Sequence, residues 1–260
     1  MDRLIVSIFQ SAARDQTPEA KLNWLDMAAD RAAGNGSTLL ICPELYLSGY
    51  LAGDLLADRA HPIDGEYAGR VGEIAQLHSI AIAYTYPESH SGALYNSAGF
   101  VSSDGALIGH HRKNHIPGTY EPRYFTADHG ITVFDYAGWK IAILICYDIE
   151  FPEAARQAAL LGAEFLIVPP ALGAQWSFVA EKMVPTRVWE NGVYLAYANW
   201  AGSEGDITYL GGSRIIGPDG IDEAVAGPRE EILMATLDKS RVSAARARLN
   251  YLGDRTSYEV

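Results

Sequence analysis

The sequence predicts an α/β sandwich built as one unit over residues 1–260. Three observations predict it. In the first half, short β-branched runs alternate with helix-like segments, the pattern of parallel strands joined by crossover helices. In the middle, apolar runs joined by turn signals break that alternation, which argues against a (β/α)8 barrel and against a doubly wound sheet. The 260 residues, 48% hydrophobic and 20% charged, contain no internal repeat, low-complexity tract or linker, and at that length they can bury a large core.

The elements follow in order. Leu4–Gln10 is rich in β-branched residues and reads as a buried strand. A helix is expected from Pro18 to Ala33: Leu22, Leu25, Met27 and Ala28 form its stripe. Thr17 is its N-cap, Pro18 takes the first helical position, and Gly34-Asn35-Gly36 ends it. Thr38–Cys42 is a second strand, stopped by Pro43. Glu66–His78 is helical and Ile80–Tyr86 is a strand. Leu94–Val101 and Leu107–Lys113 flank Ser102-Ser103-Asp104-Gly105, where Asp-Gly signals a hairpin. Ile131–Phe134 and Lys140–Ile145 are expected to pair around Tyr136-Ala137-Gly138. Pro152–Leu161 is a helix, Phe165–Val168 a strand, Ser177–Asn191 a helix and Val193–Ala198 a strand. Gly212–Ile216 and Leu233–Leu237 are expected to pair around Gly217-Pro218-Asp219-Gly220. A last helix spans Lys239–Leu249.

Charge and cysteine content exclude several function classes. A net charge of −12 does not suit a nucleic-acid binder, which needs basic residues to replace counterions, nor docking on anionic lipid. Two cysteines, Cys42 and Cys146, make no disulfide framework. The apolar run Leu4–Phe9 is too short for a signal peptide, and no stretch approaches the roughly 18–20 residues of a membrane span. A cytoplasmic protein is expected.

Three segments carry candidate chemistry. Ile141–Ile145 leads into Cys146-Tyr147-Asp148, and Phe151-Pro152-Glu153 opens a helix. A cysteine at a strand-to-helix junction suits nucleophilic attack, and taken alone it suits a buried small hydrophobe equally well. Cys42, inside Leu39-Leu40-Ile41-Cys42, is expected in the core. Glu44, two positions later, lies where α/β proteins often place functional groups, at the C-terminal end of a strand, although taken alone it reads first as an N-cap or surface glutamate. Lys113 ends a strand before a Pro/Gly-containing loop, and taken alone it suits a solvated surface lysine as well. His111 and His115 are four residues apart, but the His-Glu-x-x-His pattern is absent, so no metal site is expected.

Together, three motifs occur in order: Pro43-Glu44 with Ser48-Gly49-Tyr50; Arg112-Lys113-x-His115-x-Pro117-Gly118; and Cys146-Tyr147-Asp148-x-x-Phe151-Pro152-Glu153. This arrangement resembles the nitrilase-like carbon–nitrogen hydrolases. The resemblance continues through Arg187-Val188-Trp189-Glu190-Asn191-Gly192, Gly211-Gly212-Ser213 and Gly217-Pro218-Asp219-Gly220, and so covers essentially the whole chain. It implies a four-layer α-β-β-α sandwich, usually a homodimer. It also implies a Glu44, Lys113 and Cys146 triad, with Glu121, the only acidic residue in Asn114–Ala127, as an auxiliary glutamate.

The residue types suit amide hydrolysis. A thiolate forms poorly at a reference pKa near 8.5, and glutamate at about 4.3 is a weak base for it. Burial is expected to raise Glu44 and the Lys113 ammonium to lower Cys146, which narrows the gap. Lys113 and the Tyr147 backbone N–H would hold the oxyanion. No metal or organic cofactor is required.

Tyr50, Glu150, Ala171 and Trp176 are candidate substrate contacts, and Phe178 stands with Trp176 as a pocket wall or a subunit contact. Relatives that cleave N-carbamoyl amino acids carry arginines three and four positions after the cysteine, where this chain has Ile149 and Glu150. An acidic Glu150 facing the pocket favours neutral or cationic amides; a structural salt bridge is its other reading. Arg187, Glu190 and Asn191 read as structural. The tail Tyr251–Val260, with Tyr251, Leu252 and Tyr258, is expected at a subunit contact. The leading expectation is an amidase. A nitrilase, an omega-amidase or carbamoyl-amide hydrolase, and a catalytically silent scaffold are its alternatives.

Overall fold

The structure is a computed structural model that describes residues 2–14 and 17–256. The strands are β1 (Arg3–Gln10), β2 (Ala12–Ala13), β3 (Leu39–Ile41), β4 (Ala81–His90), β5 (Ala93–Val101), β6 (Leu107–Arg112), β7 (Val133–Tyr136), β8 (Trp139–Ile143), β9 (Phe165–Val168), β10 (Tyr194–Tyr197), β11 (Ala201–Glu204), β12 (Ile207–Thr208), β13 (Arg214–Ile216), β14 (Asp222–Val225) and β15 (Glu231–Asp238). The helices are α1 (Pro18–Gly34), α2 (Leu55–Asp58), α3 (Glu66–His78), α4 (Pro152–Leu160), α5 (Val184–Asn191) and α6 (Lys239–Arg248).

Two six-stranded sheets carry the fold, in the orders β15-β1-β3-β4-β5-β6 and β14-β13-β10-β9-β8-β7. Each has a parallel centre, β1-β3-β4 in one and β10-β9-β8 in the other, with antiparallel strands outside it. Strand alternation sorts the side chains into layers. Leu4, Val6, Ile8, Ile41 and Phe100 meet Ile141, Ile143, Phe165 and Ile215 between the sheets. Leu40, Cys42 and Ile82 turn outward to α1 and α3, while Ala142, Leu144 and Leu166 turn outward to α4 and α5. The result is the expected α-β-β-α sandwich. Cys42 lies in the core, fully buried.

Local chemistry explains the element ends. The Thr17 hydroxyl accepts the Ala20 N–H at 3.3 Å, and Pro18 opens α1. Ala137 and Gly138, at φ 50° and 82°, form the two-residue turn between β7 and β8. α4 buries an all-alanine face, Ala154, Ala155, Ala158 and Ala159, in the core cluster that includes Leu144 and Leu166 of its sheet.

Several expectations need correction. The strand expected at Ile80–Tyr86 runs on to His90, because Ser91 and Gly92, both at positive φ, turn it back into β5 as a long hairpin. The segments around Gly217–Gly220 do not pair with each other as expected. β13 pairs with β14, and β15 crosses to the other sheet beside β1. Gly217–Gly220 does turn the chain, but the strand after it is Asp222–Val225, whose exposed acidic residues hide its pattern. The helix expected at Ser177–Asn191 is present and helical throughout; a 3-10 turn at Ala174–Trp176 leads into it, and a π-turn at Val179–Met183 widens it ahead of α5.

The tail expected at a subunit contact extends past the described residues, and Tyr258 lies outside them. Within them, Leu252 packs against the α4–α5 layer of its own chain, and the Tyr251 hydroxyl accepts the Trp189 Nε1–H at 3.4 Å. Among the described residues, no helix is long and apolar enough to cross a membrane.

Candidate active site

The C-terminal ends of β3 and β8, one from each sheet, deliver Glu44 and Cys146 to the same end of the sandwich. The loop after β9 joins them. Pro169 O accepts the Cys146 N–H at 3.2 Å and Pro170 O accepts the Glu44 N–H at 3.4 Å. Trp200 Nε1 donates to the Glu44 carbonyl at 2.8 Å, and Asn199 bonds both backbone groups of Leu172. Both turns are conformationally special. Cys146 and Leu45, next to Glu44, each have φ near 49°, in a left-handed region that costs a non-glycine residue about 1–2 kcal/mol. Cys146 opens a 3-10 turn, Cys146–Glu150, ahead of α4, so the expected strand-to-helix junction is present.

Lys113 follows β6 and is fully buried, as are Glu44 and Glu121. Its Nζ donates to Glu44 Oε1 at 2.6 Å and to Glu121 Oε1 and Oε2 at 2.7 and 2.8 Å. The Tyr50 hydroxyl donates to Glu121 Oε1 at 2.8 Å. The Cys146 thiol lies close enough to lower the Glu44 carboxyl, and the Ala171 backbone N–H lies close enough to lower Cys146. Thus Glu44, Lys113, Cys146, Glu121, Tyr50 and Ala171 are brought together. Trp176 and Phe178 instead stand at the surface, 60% and 66% exposed.

The electrostatics agree with expectation for Glu44 and depart from it for Cys146. Burial raises Glu44, although the Lys113 charge opposes the shift. Burial would lower Lys113, but the charges of Glu44 and Glu121 outweigh it and hold Lys113 protonated. Cys146 was expected to be lowered by Lys113. It is raised well above its ordinary value, first by burial and then by the Glu44 charge, with Lys113 as the weaker opposing influence. Burial is the main cause, and charge balance adds to it: one ammonium serves two carboxylates and so cannot offset the loss of water around the sulfur. The resting sulfur is therefore a neutral thiol, whose proton must leave as attack occurs.

Asp148 carries a role that the sequence motifs left unread. Buried two residues after Cys146, it accepts the Ile145 N–H at 3.1 Å and the Asn114 and His115 N–H groups at 3.2 and 2.9 Å. His111 Nε2 and His115 Nδ1 also meet it, at 3.1 and 2.8 Å. The two histidines that suggested a metal are thus side-chain partners of an aspartate, and His115 stacks on Phe151. Among the described residues, no group of His, Cys, Asp or Glu could hold a metal ion. Asn96 was also missed; its Nδ2 donates to Glu44 Oε1 at 2.8 Å.

Arg187, read as structural, anchors the main chain after Cys146. Its Nε donates to Ile149 O at 3.2 Å and its Nη2 to Glu150 O at 2.9 Å. Glu150 itself is half-buried. Burial raises its pKa, and the charges of Lys113 and Arg187 oppose that shift.

Two mixed sheets stacked between helices, with a buried carboxylate–ammonium–thiol cluster where their strand ends meet, define the class of protein as a sandwich-fold hydrolase. The chain belongs to the carbon–nitrogen hydrolase family of the nitrilase superfamily, whose sequence profile matches residues 5–247. The "hydrolase in pqqF 5′ region" of Pseudomonas protegens is 39% identical over 253 residues, covering 96% of this chain and 88% of that protein. An (R)-stereoselective amidase of Pseudomonas sp. is 32% identical, covering 96% of this chain and 90% of that protein.

Among solved structures, the amidase of Nesterenkonia sp. AN1 is similar throughout. A glutamate and cysteine double variant of it, in complex with acrylamide, has a TM-score of 0.87 at 29% identity, covering 98% of this chain and 95% of that chain. A single glutamate variant carries the acetamide moiety of fluoroacetamide covalently added at its active-site cysteine, with a TM-score of 0.86 at 30% identity, covering 97% and 93%.

Proposed function

We propose that this protein is an amidase that hydrolyses a small amide to carboxylate and ammonia through a thioester on Cys146. The observation that carries the reading is the fully buried Lys113 ammonium, shared between Glu44 and Glu121 beside the Cys146 thiol. An arrangement so costly to bury suits a task that needs a fixed positive charge in a dry site. The Nesterenkonia amidase, which binds acrylamide and carries a covalent adduct at its cysteine, supports the same reading.

The reaction then balances with this chain's own groups. Glu44 accepts the thiol proton as Sγ attacks the carbonyl carbon, and the carbonyl oxygen becomes an oxyanion facing Lys113 and the Tyr147 N–H. Glu44 passes the proton to the amide nitrogen, the C–N bond breaks, and ammonia leaves. Glu44 next takes a proton from water, whose oxygen attacks the thioester. The C–S bond breaks and the proton returns to sulfur, restoring both groups. Glu121 holds Lys113 and, with Tyr50, Glu150 and Ala171, forms the proposed contact surface for substrate; the exposed Trp176 is not part of it. A homodimer is part of the same proposal.

A panel of small aliphatic amides and the matching nitriles, read by ammonia release, tests the reading. Ammonia from amides and not from nitriles is expected. Cys146→Ser should lose turnover of every amide. Retained turnover in that variant would overturn the mechanism, and ammonia from nitriles alone would overturn the amidase assignment.

A further inference from the structure

We infer that Asn96 is a positioning residue for Glu44, and that it assigns proton transfer to Oε2 of that carboxylate. The inference rests on the reading of Glu44 as the base. Asn96 lies on β5 and is fully buried. It holds both partners of the Glu44–Lys113 pair. Its backbone carbonyl accepts the Lys113 N–H at 2.8 Å, and its Nδ2 donates to Glu44 Oε1 at 2.8 Å. One residue therefore sets the spacing between carboxylate and ammonium.

The two oxygens of Glu44 are not equivalent. Oε1 receives the Asn96 amide and the Lys113 ammonium, the latter at 2.6 Å. Oε2 is buried and receives no hydrogen bond. An ionised carboxylate only accepts, so Asn96 must present nitrogen to it. That fixes its side-chain orientation and leaves Asn96 Oδ1 buried without a partner. An orphaned buried acceptor is costly, and native structures keep few of them. Here two such orphans stand on two bonded residues beside the thiol.

The chemistry follows from lone pairs. Both in-plane positions of Oε1 are occupied by donors, so a proton placed there would displace a hydrogen bond. Oε2 has its positions free. The Cys146 proton moves to Oε2 and leaves from Oε2 toward the departing nitrogen, while Oε1 stays anchored. The carboxylate need not rotate between the two transfers. Asn96 also stabilises the charged form of Glu44, which opposes the upward push of burial and keeps the base ionised.

The test is the pH profile of kcat/KM for ammonia release from butyramide, in Asn96→Ala and Asn96→Asp, with Glu44→Gln beside them. Losing one donor to the charged form should move the acid limb up by about one pH unit in Asn96→Ala. Asn96→Asp should move it further, because a third carboxyl adjoins Glu44. A residue that served only packing would lower the folded fraction at every pH and leave the limb in place. A folded Asn96 variant with an unmoved limb overturns the inference. Glu44→Gln separates the two ideas: an active Glu44→Gln overturns Glu44 as base, whereas an inactive one with an unmoved Asn96 limb overturns Asn96 alone. If neither Asn96 variant folds, the wild-type protein decides. The Asn96 side-chain amide, followed by 15N NMR, should titrate with the acid limb, and an amide that does not respond across it overturns the inference.

Discussion

The carboxylate of Asp148 binds the backbone N–H of His115 at 2.9 Å. Because Asp148 also accepts the N–H of Ile145, one buried side chain ties the loop after Lys113 to the turn that carries Cys146. The two segments come from different sheets, and nothing in either sheet's ladder fixes their separation. Asp148 supplies that link at the main chain, where it does not depend on flexible side chains.

Asp148→Asn should therefore destabilise the protein more than an ordinary core substitution. An amide in its place faces several N–H donors with one acceptor oxygen and two donors of its own. Breaking a buried charged network of this kind costs about 3–5 kcal/mol. At this chain length that corresponds to a fall of roughly 10 °C in Tm. Thermal melting checks it, and an unchanged Tm would show that the network contributes little.

Acid stability should depend on Glu88. Burial pushes this carboxyl up, but hydrogen bonds from His110, Arg112 and Ser97 outweigh burial and hold it at about 2, against an ordinary 4.5. A depressed folded-state pKa means that the stabilisation is fully present above pH 4.5 and is lost as pH falls through about 2. The difference is worth roughly 3 kcal/mol. Glu88→Gln should lower stability at pH 7 and flatten the acid side of the stability curve. Urea midpoints at pH 7 and pH 3 measure this; equal losses at both values would refute the assignment.

Much of this was readable in the sequence because it was local. Short β-branched apolar runs such as Leu4–Gln10 mark the buried strands, and Thr17-Pro18 fixes where α1 starts. Glu44, Lys113 and Cys146 were legible because each sits at a strand end with marked flanks. What stayed hidden is non-local. The Asp222–Val225 strand carries one acidic and one apolar residue on each face at a sheet edge, so its pairing is set by β13 and not by its own pattern. Asn96 looks like any polar residue in a hairpin until β3 brings Glu44 against it. The rise in Cys146 could not be read from its neighbours in sequence, because it depends on two carboxylates and only one ammonium meeting in a dry space.

The pH profile of turnover should rise from the acid side and then stay level. Burial raises Glu44, so the acid limb should lie above the ordinary glutamate range. Lys113 is held protonated by Glu44 and Glu121, so no alkaline limb from its loss is expected below its ordinary 10.5. Measuring kcat/KM from pH 4 to 10 checks both. A bell centred near neutrality would contradict the assignment of Lys113.

The two cysteines should differ in reactivity and in what their loss costs. Cys42 is fully buried and burial alone raises its thiol, while Cys146 has the Glu44 carboxylate beside it. Native protein treated with iodoacetamide should gain one adduct, on Cys146. Cys42→Ala should keep wild-type turnover and lose about 1 kcal/mol through a small cavity. Peptide mapping and a urea titration settle the matter, and an adduct on native Cys42 would count against it.

Substrate charge should be governed by Glu150. Its main-chain carbonyl is held by Arg187, so a side-chain change leaves the turn intact. Its carboxylate is close enough to feel the Lys113 charge, and the buried Tyr197 hydroxyl is raised by burial and then by the charges of Cys146, Glu150 and Glu44 together. A second negative charge carried in by substrate would meet Glu150 in a half-buried setting, where a pair several ångströms apart at an effective dielectric near 20 repels by about 2 kcal/mol. Glu150→Gln should therefore raise kcat/KM for an amide with a distal carboxylate by roughly tenfold. It should change the neutral amide of the same length little, and it should lower the preference for an amide with a distal amine. Because the repulsion is partly screened, the gain should shrink as salt rises. Equal changes for all three substrates would mean that Glu150 acts through structure and not through charge.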